Sequence, residues 1–254
     1  MPAVRPPMPE ADLYLHAVVG RHRALDDDPR PERLRRQVEG MLRLWIFAPW
    51  VESISLSGSL PKGTALRDSD VDLLLSLSPS TPGPLAEIHS SLADCFRDFL
   101  PQARNVSLRI HVEGSSIDLV PARRRAGSAH YTLWQLRHST WLQTDVAEQI
   151  RYVRSSSLTT EIRALKLWRK RNTLRFPSFL VELSAIRALE PHQPIAESFL
   201  NLLQFLSTDF PTARLTDPGN SNNIVSDLLT PEERVRLSTT AQLSLRCASW
   251  VEIL

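Results

Sequence analysis

The stretch Leu56 to Leu75 reads LSGSLPKGTALRDSDVDLLL, and two of its acids, Asp70 and Asp72, stand two residues apart in an otherwise apolar run. The period of two in a strand puts both side chains on one face, with Cα atoms about 6.5 Å apart. Two carboxylates on one face of a buried strand repel each other and are poorly solvated. A divalent cation is the natural compensation, and magnesium is commonly held by one or two carboxylates together with substrate phosphate oxygens. An isolated Asp-x-Asp is more often a strand end with the first Asp capping a turn. Three features argue otherwise here. Gly58-Ser59 precedes the pair by a short loop, where glycine lets backbone approach a ligand and serine supplies a hydroxyl and an N–H. Apolar residues flank both acids. A third acid, Asp118, sits in a second apolar run, Ile117-Asp118-Leu119-Val120. Carboxylates shared between two ions about 3.5–4 Å apart suit an in-line phosphoryl displacement.

These residues need strands to hold them. Val71 to Leu77 reads as a nearly continuous apolar strand, as expected of a sheet covered on both faces. Val51 to Leu56 is a shorter strand, followed by a loop with Gly58, Pro61 and Gly63. Val106 to Val112 alternates, turns at Glu113-Gly114-Ser115 and returns through Ile117 to Val120 as a hairpin. Pro31-Glu32 opens an amphipathic helix through Leu34, Val38, Met41, Leu42 and Ile46, running to about Ala48. Pro79 to Pro84 is a loop, and Leu85 to Leu100 is a helix. Residues 1–10 are Pro-rich and expected to fray. From about residue 145 the chain is largely helical, at roughly 145–155, 158–173, 178–190, 194–207 and 231–250. The expected fold class is therefore α+β: a mixed sheet with helices over residues 1–143, then a helical lobe over 144–254, with the active-site cleft between them.

GS, ten residues, then D-x-D in an apolar strand and a single Asp in a later strand resembles the DNA polymerase β-like nucleotidyltransferase superfamily. The wording KGTALRDSDVDLLL is similar to the 2′-5′-oligoadenylate synthetases and the cyclic GMP–AMP synthase-like enzymes, the bacterial CD-NTases of anti-phage defence among them. Ala164-Leu165-Lys166-Leu167-Trp168 followed by Pro177-Ser178-Phe179-Leu180-Val181-Glu182-Leu183 resembles their triphosphate-binding segment. Asp217-Pro218 and Asn222-Asn223-Ile224 resemble a DP…NN segment near their C-terminal end. The landmarks extend over roughly residues 30–250. The resemblance implies a nucleotidyltransferase fold, and Asp70, Asp72 and Asp118 as catalytic residues and ligands of two Mg²⁺ or Mn²⁺ ions. Asp118 would help to deprotonate the attacking hydroxyl. Gly58, Ser59, Lys166 and Ser178 would hold the triphosphate, and Phe179 would stack on a base or serve the core. Lys62 would meet phosphate or face solvent.

On the helix at 158–173, Leu158, Ile162, Leu165 and Trp168 form the apolar stripe, and Arg163, Lys166 and Lys170 a basic one beside it. For Arg163 and Lys170 a solvated face is the favoured reading. Acids are sparse between Arg123 and Arg175, which favours an anionic partner although the net charge is only +2. The two cysteines, Cys95 and Cys247, lack the spacing of a zinc site and suit a reducing compartment as buried thiols. The seven histidines are scattered and carry no ligand role. No apolar run approaches the roughly 20 residues of a membrane span, so a cytoplasmic protein is expected. The loop after Gly58 carries Leu60-Pro61, so its path departs from a Gly-rich version, and the cysteine-rich zinc insert of animal cyclic GMP–AMP synthase is absent.

The expected activity joins nucleoside triphosphates into a short cyclic or linear oligonucleotide, with pyrophosphate released. The alternative is nucleotidyl transfer to a protein hydroxyl or an RNA 3′ end. A non-catalytic binding module would be expected to lack at least one of the three acids. An activating protein or RNA remains open, with Arg33, Arg35, Arg36 and Arg43 along an early helix and no membrane partner.

Overall fold

A computed structural model describes residues 8–254. The chain runs through α1 (Met8–His22), α2 (Arg30–Leu42), β1 (Val51–Ser57), β2 (Val71–Leu77), α3 (Leu85–Cys95), β3 (Gln102–Ala103), β4 (Leu108–Val112) and β5 (Ser115–Arg124). It continues through β6 (Tyr131–Gln135), β7 (Thr140–Thr144), α4 (Val146–Ser155), α5 (Thr159–Arg171), α6 (Ser178–Ala188) and α7 (Ile195–Thr208). The last elements are β8 (Thr216–Asp217), β9 (Asn220–Ile224), α8 (Pro231–Arg246) and α9 (Trp250–Ile253). The fold is mixed α/β, as expected.

The main sheet has the order β1-β2-β5-β4-β3, and the β6–β7 hairpin attaches to the late half of β5. Only β2 and β5 run parallel; the other pairs are antiparallel. Period-two geometry sorts each strand. Val71, Leu73, Leu75 and Leu77 of β2, Leu108, Ile110 and Val112 of β4, and Ile117 and Leu119 of β5 are buried in one core with Leu34 and Val38 of α2 and Ile88 and Leu92 of α3. The opposite face carries Asp72, Arg109 and Asp118.

A second core gathers α5, α6, α7 and part of α8 around Trp168, Phe199 and Phe210, and it takes in Ala11, Leu15 and Val19 of α1. The first helix thus packs with the last ones. Tyr14 Oη donates to the carbonyl of Leu254 at 2.7 Å, and Asp12 accepts from the N–H of Ala196 at 2.8 Å in the first turn of α7.

Some elements differ from the sequence reading. Residues 1–7 of the expected frayed segment lie outside the described residues, but Met8–Glu10 already belong to α1. The early helix stops at Leu42, short of Ala48. Trp45 and Phe47 fold back into the sheet core, Trp45 Nε1 bonding to Ser91 Oγ at 2.8 Å, and Pro49 sits in a separate 3-10 turn. Ile46, read as part of the stripe, faces solvent. The helix after Leu85 ends at Cys95 and gives way to another 3-10 turn. The β6–β7 hairpin was not anticipated, because only its Leu133 and Thr144 are fully buried and the apolar alternation is weak. Cys95 and Cys247 are half-buried rather than buried. Of the histidines, His89 is a buried residue of the fold, its Nε2 3.3 Å from the Ser107 carbonyl. No described helix is long and apolar enough to cross a membrane.

Candidate active site

The sheet itself brings the acids together. In the parallel pair β2·β5, Asp72 lies opposite Asp118, and in the antiparallel pair β1·β2, Ser57 lies opposite Asp72. Opposed residues share a face, so the end of β1, the start of β2 and the middle of β5 present one polar patch. Asp70 lies just before β2, not within it, and reaches the same patch from the loop.

Immediately after Ser57 the chain turns at Gly58 with φ of +63°. A Cβ at this position would lie 1.9 Å from Asp72 Oδ2 and 2.5 Å from its Cγ. Both the left-handed backbone and the contact require glycine, and the result is loop backbone laid directly against a carboxylate. Ser59 follows, half-buried, its carbonyl accepting from the N–H of Thr64 at 3.0 Å and closing the loop.

Crowding has an electrostatic cost. Burial, then the charges of Asp118 and Asp70, push Asp72 up to about 7, against the opposing pull of Lys62 and Lys166. Burial also raises Asp70, with Arg109 opposing and Asp118 adding to it. Arg109 was missed in the sequence reading. Its Nε and Nη2 donate to Asp118 Oδ1 and Oδ2 at 2.9 and 2.8 Å, and Nη2 also donates to Asp70. These bonds, the one to Asp118 foremost, hold the guanidinium firmly charged. The available signal was a cation on the polar positions of an alternating strand whose cross-strand partner is Asp118.

The helical half approaches through a second charge cluster. Lys166 is buried, not solvated; its Nζ donates to Thr64 Oγ1 at 2.9 Å, to the Thr64 carbonyl at 3.2 Å and to Glu182 Oε1 at 3.0 Å. Lys62, expected on phosphate or in solvent, is also buried and donates to Glu182 Oε2 at 2.9 Å, with its Nζ 4.1 Å from the centre of the Phe179 ring. Thr64 Oγ1 completes the set at 2.6 Å from Glu182 Oε1. Burial works to raise Glu182, but Lys166, Lys62 and Thr64 outweigh it and hold the carboxyl below its ordinary value. Burial lowers Lys166 against the pull of Glu182. The loop 58–64 therefore touches the acids at one end and α5 and α6 at the other. Arg163 binds the Gly63 carbonyl of this loop, and Lys170, which stays exposed, binds Asp68 beyond it.

Ser178 begins α6, exposed, and its Oγ accepts from Arg169 Nη1 at 3.1 Å. The structure places Gly58, the three acids, Lys62 and Lys166 in one neighbourhood, and links Phe179 to it through Lys62. Ser178 is tied to Arg169 instead. The Asp217–Asn223 segment is a clamp: buried Asp217 accepts from Gln149 at 2.9 Å and Asn223 at 3.1 Å, and a Cβ on Gly219 would lie 2.8 Å from the backbone of Asp145. It fastens the last hairpin to α4.

Among the described residues no three acid, histidine or cysteine side chains already converge as a finished metal cage. The donor set nevertheless suits a hard divalent cation: oxygen ligands of excess negative charge, with loop backbone laid against Asp72.

Residues 34–124 match the family described as "Nucleotidyltransferase domain". A sequence comparison with curated proteins finds no match. CdnC of E. coli MS115-1, solved with ATP, is 21% identical with a TM-score of 0.69 and covers 90% of this chain and 89% of its own. The CD-NTase CdnG of Bradyrhizobium diazoefficiens, solved with GTP, is 12% identical with a TM-score of 0.70 and covers 94% and 91%. The Cid1 poly(U) polymerase, bound to MgATP, is 13% identical with a TM-score of 0.63 and covers 94% of each chain. These likenesses establish a shared fold.

Proposed function

Taking as premise that the chain carries a nucleotidyltransferase domain and is a nucleotidyltransferase, we propose that it joins nucleoside triphosphates into a short cyclic or linear oligonucleotide, releasing pyrophosphate. The observation that carries this reading is Asp72, set opposite Asp118 in the parallel pair and pressed against Gly58. Three carboxylates in one patch have more negative charge than their protein partners balance, and the substrate that suits them arrives with metal. Mg²⁺ or Mn²⁺, as two ions held by Asp70, Asp72 and Asp118, would supply charge neutralisation at the transferring phosphorus and lower the pKa of the attacking hydroxyl. Gly58 and Ser59 bring backbone N–H groups to the triphosphate, and Lys166 adds a cation once it turns from Glu182. Asp118 accepts the proton of the acceptor hydroxyl. Phe179 offers a ring face to a base, and Ser178 a hydroxyl at the start of α6. The sheet of residues 1–143 and the helices of 144–254 would act as two lobes about this site, and much of the rate would come from holding hydroxyl and α-phosphate in line.

CdnC, solved with ATP, and CdnG, solved with GTP, support nucleoside triphosphates as substrates; a nucleotide acceptor and a signalling product of anti-phage defence complete the reading. CdnC is also described in a complex with a HORMA protein, which supports an activating protein partner for this chain. Cid1 favours a second reading, addition to an RNA 3′ end. Purified protein incubated with all four triphosphates and Mg²⁺ or Mn²⁺, followed by mass spectrometry, separates the two. Short oligonucleotides and pyrophosphate are expected, and a cyclic product survives phosphatase. No oligonucleotide with any triphosphate mixture or candidate activator, together with α-phosphate label on added RNA or protein, overturns the first reading.

A further inference from the structure

Resting on the nucleotidyl-transfer reading, we propose that Arg109 is the positioning residue of the carboxylate patch: a standing counter-ion that orients Asp118 and competes with divalent metal until triphosphate arrives.

The position of Arg109 is set by backbone pairing. It lies directly opposite Asp118 in the antiparallel β4·β5 ladder. Its neighbours Leu108 and Ile110 are buried in the sheet core and lock the strand. Slipping the register by one residue would put the guanidinium into that core and Ile110 beside the acids, so the pairing is strongly specified.

The contact geometry decides what the guanidinium does. Nε and Nη2 meet the two oxygens of Asp118 at 2.9 and 2.8 Å as a planar fork, and Nη2 reaches Asp70 as well. A fork of this kind fixes the plane of a carboxylate, not only its distance. Each Asp118 oxygen keeps a second lone pair, so orientation by Arg109 and coordination of a cation are compatible. None of these three bonds reaches Asp72. The patch is therefore divided into two acids that the guanidinium bonds and one, against Gly58, that it does not.

Competition follows from charge. A cation that binds Asp70 and Asp118 in the absence of nucleotide is repelled by a fixed positive charge a few ångströms away. A metal-bound triphosphate brings its own negative charge, and the balance reverses. Metal then binds weakly before the triphosphate and tightly with it. Lysine cannot replace arginine in this role, because an ammonium is a point charge without the fork.

The test is direct titration of Mn²⁺, followed by electron paramagnetic resonance, into the full chain without nucleotide. Arg109→Gln should bind Mn²⁺ about tenfold more tightly than the wild type, since a unit charge close to the ion is removed. The same variant should lose turnover, because Asp118 is no longer oriented. Arg109→Lys keeps the charge, so its Mn²⁺ affinity should stay within about threefold of wild type while kcat falls by about tenfold or more at unchanged KM for triphosphate. If Arg109→Gln does not fold, the lysine variant carries the test, and wild-type kcat there overturns the positioning role. Arg109→Gln binding Mn²⁺ no more tightly than the wild type overturns the competition, while the nucleotidyl-transfer reading stands. A wild type that binds no Mn²⁺ even with a triphosphate present removes the metal reading and this proposal with it.

Discussion

Two clusters of charge meet the ends of the loop 58–64, and they are composed in opposite ways. At one end are three acids, and the single guanidinium of Arg109 bonds two of them, Asp70 and Asp118, but not Asp72. At the other, Glu182 stands between two lysines and a threonine hydroxyl, with every partner within 3.2 Å of another. Both are crowded, but only in the second is the acid matched, one carboxylate facing two ammonium groups: Glu182 lies below its ordinary value, whereas Asp72 is driven up to about 7. A buried pair that is fully hydrogen-bonded holds structure, and a set of like charges left in surplus favours a ligand of opposite sign. Burial alone does not separate these cases. What separates them is the sign of the charge that remains.

The sharpest break in the comparison is Asp72→Asn. Turnover should fall on the order of a thousandfold or more, because the residue would act with the other acids as a unit. Stability should move the other way. A carboxyl whose folded-state pKa is raised destabilises the fold once the pH rises above its unfolded value, and in full above the folded one. Melting in EDTA at pH 8 should therefore show the variant at or above the wild type. A variant with near-normal activity and metal dependence would take Asp72 out of the chemistry.

Glu182→Gln tests the matched cluster. It leaves two buried lysines without their counter-charge and should cost ~3–5 kcal/mol in urea unfolding. A loss under about 1 kcal/mol, the value for an exposed pair, would mean that the cluster is not holding the loop. Gly58→Ala lies between the two clusters. Its Cβ would displace the Asp72 carboxylate, and a displacement near 1 Å should lower kcat by about a hundredfold. Activity within threefold of wild type would show that the loop relaxes freely.

Lys166→Ala asks whether one residue serves both clusters. Loss of a charge-assisted contact should weaken triphosphate binding by ~1.5–3 kcal/mol in calorimetry. Unchanged affinity with reduced stability would make Lys166 scaffold only. The smallest effect is expected for Thr64→Val, which removes the hydroxyl shared by Lys166 and Glu182 and should cost ~0.5–1.5 kcal/mol of stability with little change in kcat. A collapse of turnover there would place the hydroxyl closer to the chemistry than its bonds suggest.

Much of this was legible in the residues. Val71–Leu77 is a strand because a nearly continuous apolar run, broken only by Asp72 and Ser76, suits a sheet covered on both faces, and its bounds agree with the reading. The helices α4 to α8 follow their apolar periodicity to within a few residues. The nucleotidyltransferase fold was legible through a resemblance that the Gly-Ser and Asp-x-Asp spacing carries, while the residues alone pointed to a strand with paired carboxylates beside a glycine loop. The β6–β7 hairpin was not, since a strand buried on only part of one face carries little alternation. Neither was the docking of α1 on the last helices, because an amphipathic stripe does not name its partner.

By itself, then, the sequence determined which residues carry surplus charge and which elements hold them. The tertiary structure decided how each charge is matched. Lys62 and Glu182 stand 120 residues apart and meet only when α6 packs against the loop. Arg109 meets Asp118 only through the register of one ladder, and a one-residue slip would send it to the opposite face. Pairing depends on distances that close only after the whole sheet and both cores have formed, so local pattern could identify the acids but not the arginine that holds them.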